Sequence, residues 1–214
     1  MVTIQPATEA DAAEMLEIYT PYVMSTTISS EYEAPTLETF QARIRTYTAE
    51  LPWLICRVNG KAAGYGYAAP HRTRAGYQWS VETSIYVAPA FHRCGIAAAL
   101  YRALFSLLVR QGYYNIFVGI TSPNERSMKF HSAMGFVISG AYQNSMYKFG
   151  QWRDVIWMAK SLRPHEIAPV PTVPFPLILQ EAQTEAVLLA QAQTVHVPAL
   201  EKREGKHGDE EKTG

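Results

Sequence analysis

The sequence predicts an α/β fold built around a central sheet. Segments with the alternating period of strands follow segments with the 3.6-residue period of helices along most of the chain. Towards either end of this pattern, two strand segments are separated by a short turn, which is typical of antiparallel hairpins. At 214 residues the chain is long enough for one domain with a sizeable core and an additional segment.

The N-terminal part of the chain is predicted to form a strand, two helices and a hairpin. VTIQP indicates a short strand, and the helix after it begins near Thr8 and Asp11, a pair close to a capping box. TLETFQARIRTYTA repeats this pattern, with Thr36 ahead of apolar residues at helical spacing. WLICRVNGKAAGYGYAAP is expected to turn back at Asn59-Gly60, a residue pair that tight hairpin turns favour.

The strand predicted in YQWSVETSIYVAP is unusual because one of its faces is polar. Alternation separates the apolar residues of the strand from a second face formed by Ser80, Glu82, Ser84 and Tyr86. The same strand leads directly into HRCGIAAALYRALFSLLVRQG, a glycine turn followed by a long amphipathic helix that is expected to end at Gly112. Glu82 therefore lies on the polar face of the strand that leads to this turn.

The start of that helix carries only small side chains, at Gly95, Ala97, Ala98 and Ala99. The first turn of a helix has unpaired N–H groups and the positive end of the macrodipole, which together bind phosphate. Small side chains let a pyrophosphate approach this backbone closely. The sequence therefore predicts a pyrophosphate site at this helix start.

Two other phosphate motifs do not fit the sequence. A Walker A loop requires Gly-Lys-Ser or Gly-Lys-Thr, where this chain has Gly-Ile-Ala, so a nucleoside triphosphatase is not expected. The pattern Gly64-x-Gly66-x-x-Ala69 matches a dinucleotide fingerprint in form, but Pro70 follows where a helix should begin. Tyr65 and Tyr67 indicate one face of a strand instead.

The C-terminal half is predicted to contain a strand in YNIFVGIT, a helix from Asn124 to about Met134, and two antiparallel strands. We expect the main folded domain to span residues 1–163. Residues 164–180 are rich in proline and are expected to be extended. Residues 181–214 form a tail with one candidate helix, EAQTEAVLLAQAQ, followed by a charged stretch expected to be disordered. If the tail is only a solvated end, truncation near Gln180 should leave activity unchanged.

Composition excludes several kinds of partner and cofactor. Lys plus Arg and Asp plus Glu each number 19, so no electrostatic attraction to nucleic acid or to an anionic membrane is expected. Two cysteines, without a disulfide framework, fit a reducing compartment. The N-terminus lacks the pattern of a signal peptide, and no apolar run is long enough to span a membrane. We expect a cytoplasmic protein without a metal site, because its His and Cys residues lack metal-ligand spacing.

The order strand, HRCGIA, helix resembles the pyrophosphate loop of the GNAT superfamily of acetyl-CoA-dependent N-acetyltransferases. That loop reads Gln or Arg, two residues, Gly, one residue, and Gly or Ala, which correspond here to His92, Gly95 and Ala97. The signatures Trp-Ser-Val-Glu-Thr and Phe-Gly-Gln-Trp-Arg-Asp resemble the phosphinothricin and methionine sulfone (sulfoximine) N-acetyltransferase branch. The similarity runs from about Ile4 to Phe175. It implies a mostly antiparallel mixed sheet, splayed at the coenzyme site, with helices on both faces.

The resemblance implies roles for individual residues. Glu82 corresponds to the proposed general base of the branch, and His131 takes the place of a tyrosine general acid found in many members. Backbone groups of Ile85, Tyr86 and Val87 are expected to bind the coenzyme, and Asn124 the pantetheine amides. Asn124 is equally a candidate helix N-cap after Pro123, and the two roles are compatible. The pyrophosphate is assigned to Arg93, Cys94, Gly95, Ile96, Ala97 and Ala98. Cys94 as a covalent nucleophile is not favoured, since direct transfer needs no acyl-enzyme.

The resemblance further implies that acetyl-CoA is the cosubstrate and that the acceptor is the α-amino group of a small amino acid or analogue. Arg72 and Arg74 are candidate ligands for its carboxylate or oxyanion, because a guanidinium binds such groups through two parallel hydrogen bonds. Tyr77 is a candidate pocket wall, and Ser30 falls where the branch usually has an aromatic residue. Related enzymes lead us to expect a homodimer. Two alternatives remain open: another acceptor (a polyamine, an aminoglycoside or a protein N-terminus), or a non-catalytic acyl-CoA-binding module.

Overall fold

A computed structural model describes residues 1–198 and contains one seven-stranded sheet in the order β1-β2-β3-β4-β5-β7-β6. The strands are β1 (Val2–Pro6), β2 (Trp53–Val58), β3 (Lys61–Pro70), β4 (Ser80–Val87), β5 (Asn115–Thr121), β6 (Val137–Lys148) and β7 (Gln151–Ser161). All neighbouring pairs are antiparallel except β4 and β5, which are parallel. The predicted α/β class and the mixed, mostly antiparallel sheet are confirmed. The charged stretch expected to be disordered, residues 201–214, lies outside the described residues.

Within residues 1–198, six α-helices pack around this sheet: α1 (Ala12–Ser25), α2 (Leu37–Thr48), α3 (Ile96–Gln111), α4 (Glu125–Ala133), α5 (Phe175–Leu179) and α6 (Ala182–Ala192). Alternate residues of β2 show that both faces of the sheet are covered. Leu54 belongs to a core cluster that includes α3, whereas Trp53 belongs to a second cluster with residues of α1 and α2. No helix in residues 1–198 is long and apolar enough to cross a membrane.

The hairpin between β2 and β3 turns at the predicted residues. Asn59 and Gly60 have positive φ angles of 50° and 82°, as a type I′ turn requires.

The glycines of the pattern Gly64-x-Gly66 allow close packing of β3 against β4. A Cβ at Gly64 would lie 3.0 Å from the Tyr86 carbonyl, and one at Gly66 would lie 2.9 Å from Cγ1 of Ile85. The glycines thus let β3 approach β4, which explains the pattern without a dinucleotide.

The parallel strands β4 and β5 pair along only part of their length. Their register runs from Ser80 opposite Asn115 to Glu82 opposite Phe117. Beyond this point β5 remains paired with β7 as far as Thr121, while β4 continues beside β3 to Val87. The sheet therefore opens between β4 and β5 immediately after Glu82, and the predicted splay is present.

The chain after β7 returns to the body of the protein. Residues 164–180 were expected to be extended, and the structure shows the short helix α5 within them. Phe175, Ile178 and Leu188 are buried in the same core cluster as α3. The proline-rich composition of this segment gave no sign of this burial, because the apolar anchors are few and widely spaced.

Candidate active site

The opening between β4 and β5 continues into a cavity of about 680 Å³. Its walls come from the end of β4, the start of α3, the end of β5 and the first turns of α4. Most residues predicted to bind the coenzyme or act in catalysis line it, namely Ile85, Tyr86, Val87, Arg93, Gly95, Ile96, Ala97, Ala98, Asn124 and His131. The cavity thus joins the predicted pyrophosphate turn to the splayed strands.

The backbone at the start of α3 has the conformation that a bare helix start needs. Arg93 and Gly95 have positive φ angles of 66° and 83°, and Gly95 is the N-cap of α3. The first turn has no acidic residue. Its N–H groups lack partners within the helix, as at every helix start. These features fit a diphosphate group, which needs N–H donors and an absence of negative side chains.

Cys94 differs from its neighbours in the turn. Its side chain is only 7% exposed, belongs to the main core cluster and is not part of the cavity lining. The Sγ atom lies 3.7 Å from the carbonyl oxygen of His92. This orientation leaves only the backbone of Cys94 for a ligand and gives no support to a covalent role.

His92, which stands where the family motif has Gln or Arg, connects the turn to β4. Its Nε2 lies 3.1 Å from the carbonyl oxygen of Val87, to which it can only donate. The Tyr22 hydroxyl donates to the same oxygen at 2.6 Å. Sequence reasoning missed Tyr22, because nothing in α1 indicates contact with the end of β4.

Asn124 caps α4 from the rim of the cavity. Its Oδ1 accepts a hydrogen bond of 3.1 Å from the backbone N–H of Ser127, so the predicted cap is present. The cap uses the carbonyl oxygen of the Asn124 amide. The amide nitrogen of the same side chain is then the group that can donate to a ligand.

His131 is held by hydrogen bonds at both ring nitrogens. Its Nδ1 donates to the Ser127 carbonyl at 2.8 Å, and its Nε2 lies 2.8 Å from the hydroxyl of Tyr101. Because Nδ1 carries the proton in this arrangement, Nε2 accepts from Tyr101 in the neutral ring. Burial lowers the pKa of His131, against the hydrogen bond to Ser127, and burial raises the pKa of Tyr101. Tyr101 was not predicted as a site residue.

This buried, neutral histidine makes the free energy of unfolding depend on pH. The pKa of His131 lies below its ordinary value of 6.5, so the unfolded chain binds a proton over a pH range where the folded chain does not. The contribution is fully present above pH 6.5 and is lost as the pH falls through the folded-state pKa. We expect His131→Gln to flatten the fall in stability between about pH 7 and 5, by up to ~1.4 kcal/mol per pH unit.

Urea unfolding of wild type and His131→Gln across this pH range measures the difference in slope. His165→Gln, which replaces an exposed histidine, is the control for the loss of a histidine outside the cavity. Parallel curves for wild type and His131→Gln would contradict the neutral, buried state of His131.

Glu82 does not line this cavity; it lies on the polar face of β4, at the last residue before the strands part. One carboxylate oxygen, Oε1, is 2.9 Å from Nδ1 of His71. The His71 ring stacks on Phe117, with ring centroids 4.3 Å apart. Since Phe117 is the residue opposite Glu82 in β5, the His71–Glu82 pair stands at the inner end of the opening. Sequence reasoning missed His71, although its place directly after β3 brings it beside β4.

The residues predicted to bind the acceptor, Arg72, Arg74 and Tyr77, lie outside the coenzyme cavity, and Tyr77 contacts His71. The Tyr77 ring is 5.8 Å from the His71 ring, and Nη2 of Arg72 is 3.5 Å from the hydroxyl of Tyr142 on β6. Arg74 is exposed and precedes the short 3₁₀ helix Ala75–Tyr77. Within residues 1–198, no His, Cys, Asp and Glu side chains cluster in a way that could hold a metal ion.

Comparison with known proteins shows the family to which this chain is similar. The acetyltransferase (GNAT) domain model matches residues 4–157. The phosphinothricin N-acetyltransferase of Streptomyces viridochromogenes is 33% identical over 72% of this chain and 84% of that protein. The L-methionine sulfoximine/L-methionine sulfone acetyltransferase of Salmonella typhimurium is 31% identical over 77% of this chain and 96% of that protein. A phosphinothricin acetyltransferase of Sinorhizobium meliloti, solved with acetyl-CoA, has a TM-score of 0.75 at 26% identity, covering 81% of this chain and 98% of that one.

The fold and these matches define an acetyl-CoA-dependent N-acetyltransferase, as the sequence predicts. Since the family model covers most of its length, the chain belongs to the GNAT family of acetyltransferases. The predicted similarity to the phosphinothricin and methionine sulfoximine/sulfone branch is also confirmed.

Proposed function

We propose that this enzyme transfers the acetyl group of acetyl-CoA to the α-amino group of a small amino acid or amino-acid analogue. The observation that carries the proposal is the parting of β4 and β5 directly after Glu82. The Glu82 carboxylate, on the polar face of β4, therefore lies beside the opening that we propose for the coenzyme. Relatives named for phosphinothricin and for methionine sulfoximine or sulfone support an amino-acid analogue as the acceptor.

The coenzyme is assigned to the cavity. The pyrophosphate would accept hydrogen bonds from the N–H groups of Gly95 to Ala98, with the guanidinium of Arg93 beside them. The pantetheine arm would lie along the backbone of Ile85–Val87, which has no strand partner on the β5 side. Its amides would meet the amide nitrogen of Asn124. An N–H group of β4 close to the thioester carbonyl would stabilise the oxyanion that forms during attack.

Glu82 is assigned as the general base of direct transfer. Its carboxylate takes a proton from the ammonium group of the acceptor, directly or through water. The neutral nitrogen then bonds to the acetyl carbon as the carbon–sulfur bond breaks. The nitrogen loses its second proton as the amide forms, and the departing thiolate takes up one proton to give coenzyme A. Glu82 finally returns its proton to solvent.

The identity of the amine decides how strong this base must be. An α-amino group with a pKa near 8 is partly neutral at pH 7, whereas a lysine side chain near 10.4 costs about 3 kcal/mol more to deprotonate. A carboxylate is therefore sufficient for an α-amine. Arg72 and Arg74, in the loop before β4, would bind the acceptor's carboxylate or oxyanion and would repel a polycation.

His71 is assigned as a positioning residue for Glu82. When the carboxylate is ionised, Nδ1–H of His71 donates to Oε1. The stack on Phe117 fixes the plane of the His71 ring. Because this ring holds Oε1 of Glu82, the other carboxylate oxygen, Oε2, is also held in one orientation. That oxygen is the one assigned to the amine or to a bridging water.

The contacts of His131 favour a different role from the general acid that the family resemblance implied. A neutral ring with Nδ1–H bonded to Ser127, and with Nε2 bonded to Tyr101, directs no proton into the cavity. We therefore assign His131 and Tyr101 to shaping the wall at the thioester end of the cavity.

Release of coenzyme A from acetyl-CoA across a panel of amines tests the proposed function. The panel contains methionine sulfone, methionine sulfoximine, phosphinothricin, ordinary amino acids, spermidine and an aminoglycoside. We expect turnover with the oxyanion-bearing amino acids and little with the polycations. Turnover confined to spermidine or the aminoglycoside would contradict the acceptor class. Saturable binding of acetyl-CoA without turnover of any amine would favour a binding module.

A homodimer and a cytoplasmic location stay predictions. The edge strand β6 presents exposed apolar side chains, among them Val137, Ile138 and Tyr142, which a second copy of the chain could cover. Sedimentation velocity measures the oligomeric state directly.

A further inference from the structure

Beyond the family match, the described part of the chain folds back over α3 and reaches the turn proposed for the pyrophosphate. We call residues 170–198 the C-terminal strap. They lie outside the matched residues 4–157. The strap contains α5 and α6, and its last described residues run beside Cys94 and Gly95.

The first half of the strap is anchored to the C-terminal end of α3. The buried Gln111 donates through Nε2 to the carbonyl of Val173 at 2.8 Å. Arg110 donates to the hydroxyl of Thr184 at 2.9 Å and forms an ion pair with Glu181. Buried apolar side chains of the strap fill the space behind these contacts. The base of the strap is therefore part of the folded core.

The second half of the strap is anchored nearer to the coenzyme turn. Arg102, on the second turn of α3, donates to Oε1 of Gln191 at 2.9 Å and to the hydroxyl of Thr194 at 3.1 Å. Val195 is 7% exposed and belongs to the same core cluster as Cys94 and Ile96. These contacts place the strap against both the helix and its N-terminal turn.

The strap also contacts the backbone of the turn itself. The N–H of His196 donates to the carbonyl oxygen of Cys94 at 3.0 Å. A Cβ at Gly95 would lie 3.5 Å from the carbonyl oxygen of Thr194, so the strap passes directly behind this glycine. Within this turn, Arg93 and Gly95 have positive φ angles. The strap therefore binds the carbonyl group of Cys94, the residue between them.

We propose that the C-terminal strap is a positioning element for acetyl-CoA, which holds the turn Arg93–Ile96 in the conformation that presents its N–H groups to the pyrophosphate. This inference rests on the proposed assignment of the pyrophosphate to that turn. A pre-formed turn binds more tightly because less conformational freedom is lost on binding. Truncation within the strap should therefore weaken use of the coenzyme.

Two truncations test the strap with a matched control. A chain that stops after Ala192 keeps the contacts of Glu181 and Thr184 with α3 but loses Thr194, Val195 and His196. A chain that stops after Pro198 keeps every contact described above and is the control. We expect the first to raise KM for acetyl-CoA by roughly tenfold with kcat changed less than twofold. The control should match the full chain.

S-acetylpantetheine separates positioning from general loss of structure, because it carries the thioester without the pyrophosphate. We expect its kcat/KM to be equal in both truncated chains. An unchanged KM for acetyl-CoA after truncation at Ala192 would overturn the strap's role, and so would an equal loss with both donors.

Binding of coenzyme A, measured by calorimetry without any amine, keeps this test independent of the acceptor. Tighter binding of coenzyme A than of pantetheine by the full chain, with the difference reduced by truncation at Ala192, supports the strap. Equal binding of the two by the full chain would overturn the pyrophosphate site, and the strap's role with it. Failure of the amine panel alone would leave this binding result intact.

Discussion

Replacing Glu82 with glutamine lowers kcat by about 10²- to 10⁴-fold, the range by which general bases contribute to catalysis. Glutamine keeps the size of the side chain and can still hydrogen-bond to His71, but it cannot take a proton from the ammonium group. Because Glu82 lies outside the coenzyme cavity, the affinity for coenzyme A should not change. Steady-state rates with a saturating α-amino acceptor and calorimetric titration of coenzyme A measure the two effects separately.

Glu38→Gln is the matched control for this experiment, because Glu38 is exposed on α2 and has no assigned role. It should retain wild-type kcat. The deficit of Glu82→Gln should also shrink as the pH approaches about 8, where an α-amino group increasingly loses its proton to solvent. A kcat within threefold of wild type at pH 7 would remove Glu82 from the mechanism and leave His71 as the nearest candidate base.

Features encoded in consecutive residues could be predicted from the sequence. The turn at Asn59-Gly60, the cap at Asn124 and the bare start of α3 all depend on local backbone conformation, and the structure contains each of them. The polar face of β4 follows from alternation alone. Such features need no knowledge of how distant segments pack.

Features that depend on contacts between distant segments could not be predicted in this way. The His71–Glu82 pair needs the register of β3 against β4 and the position of β5, which brings Phe117 beneath the imidazole ring. The contact of Tyr101 with His131 joins two helices that the sequence pattern treats separately. The burial of the Cys94 side chain in the core depends on the positive φ angles of Arg93 and Gly95 on either side of it and on the packing of distant segments around it.

The C-terminal strap shows a further reason for such failures. Its proline content and weak helical pattern are typical of an extended or solvated segment. Its burial depends on partners in α3, among them the charged residues Arg102 and Arg110. These two arginines look like ordinary surface charges in the sequence, whereas in the structure both donate to strap side chains.

The pyrophosphate site predicts a second large effect, for Ala97→Asp. Ala97 lies in the first turn of α3 and lines the cavity, and that turn has no acidic residue. At an effective dielectric constant of ~20, two like charges about 5 Å apart repel by roughly 3 kcal/mol. We therefore expect coenzyme A to bind at least about 100-fold more weakly. Calorimetric titration of coenzyme A measures this loss.

The stability of the same variant should move in the opposite direction. A carboxylate in the first turn of a helix interacts favourably with the macrodipole, by about 0.3–1 kcal/mol. Ala97→Asp should therefore unfold at an equal or higher urea concentration than wild type while binding coenzyme A poorly.

Ala97→Asn, similar in size but uncharged, is the matched control and should lose much less affinity for coenzyme A. Equal losses for the Asp and Asn variants would mean that space, not charge, limits this turn, and unchanged affinity in both would place the pyrophosphate elsewhere. Because misfolding cannot raise stability while lowering affinity, the combination expected for Ala97→Asp ties the bare start of α3 to the coenzyme itself.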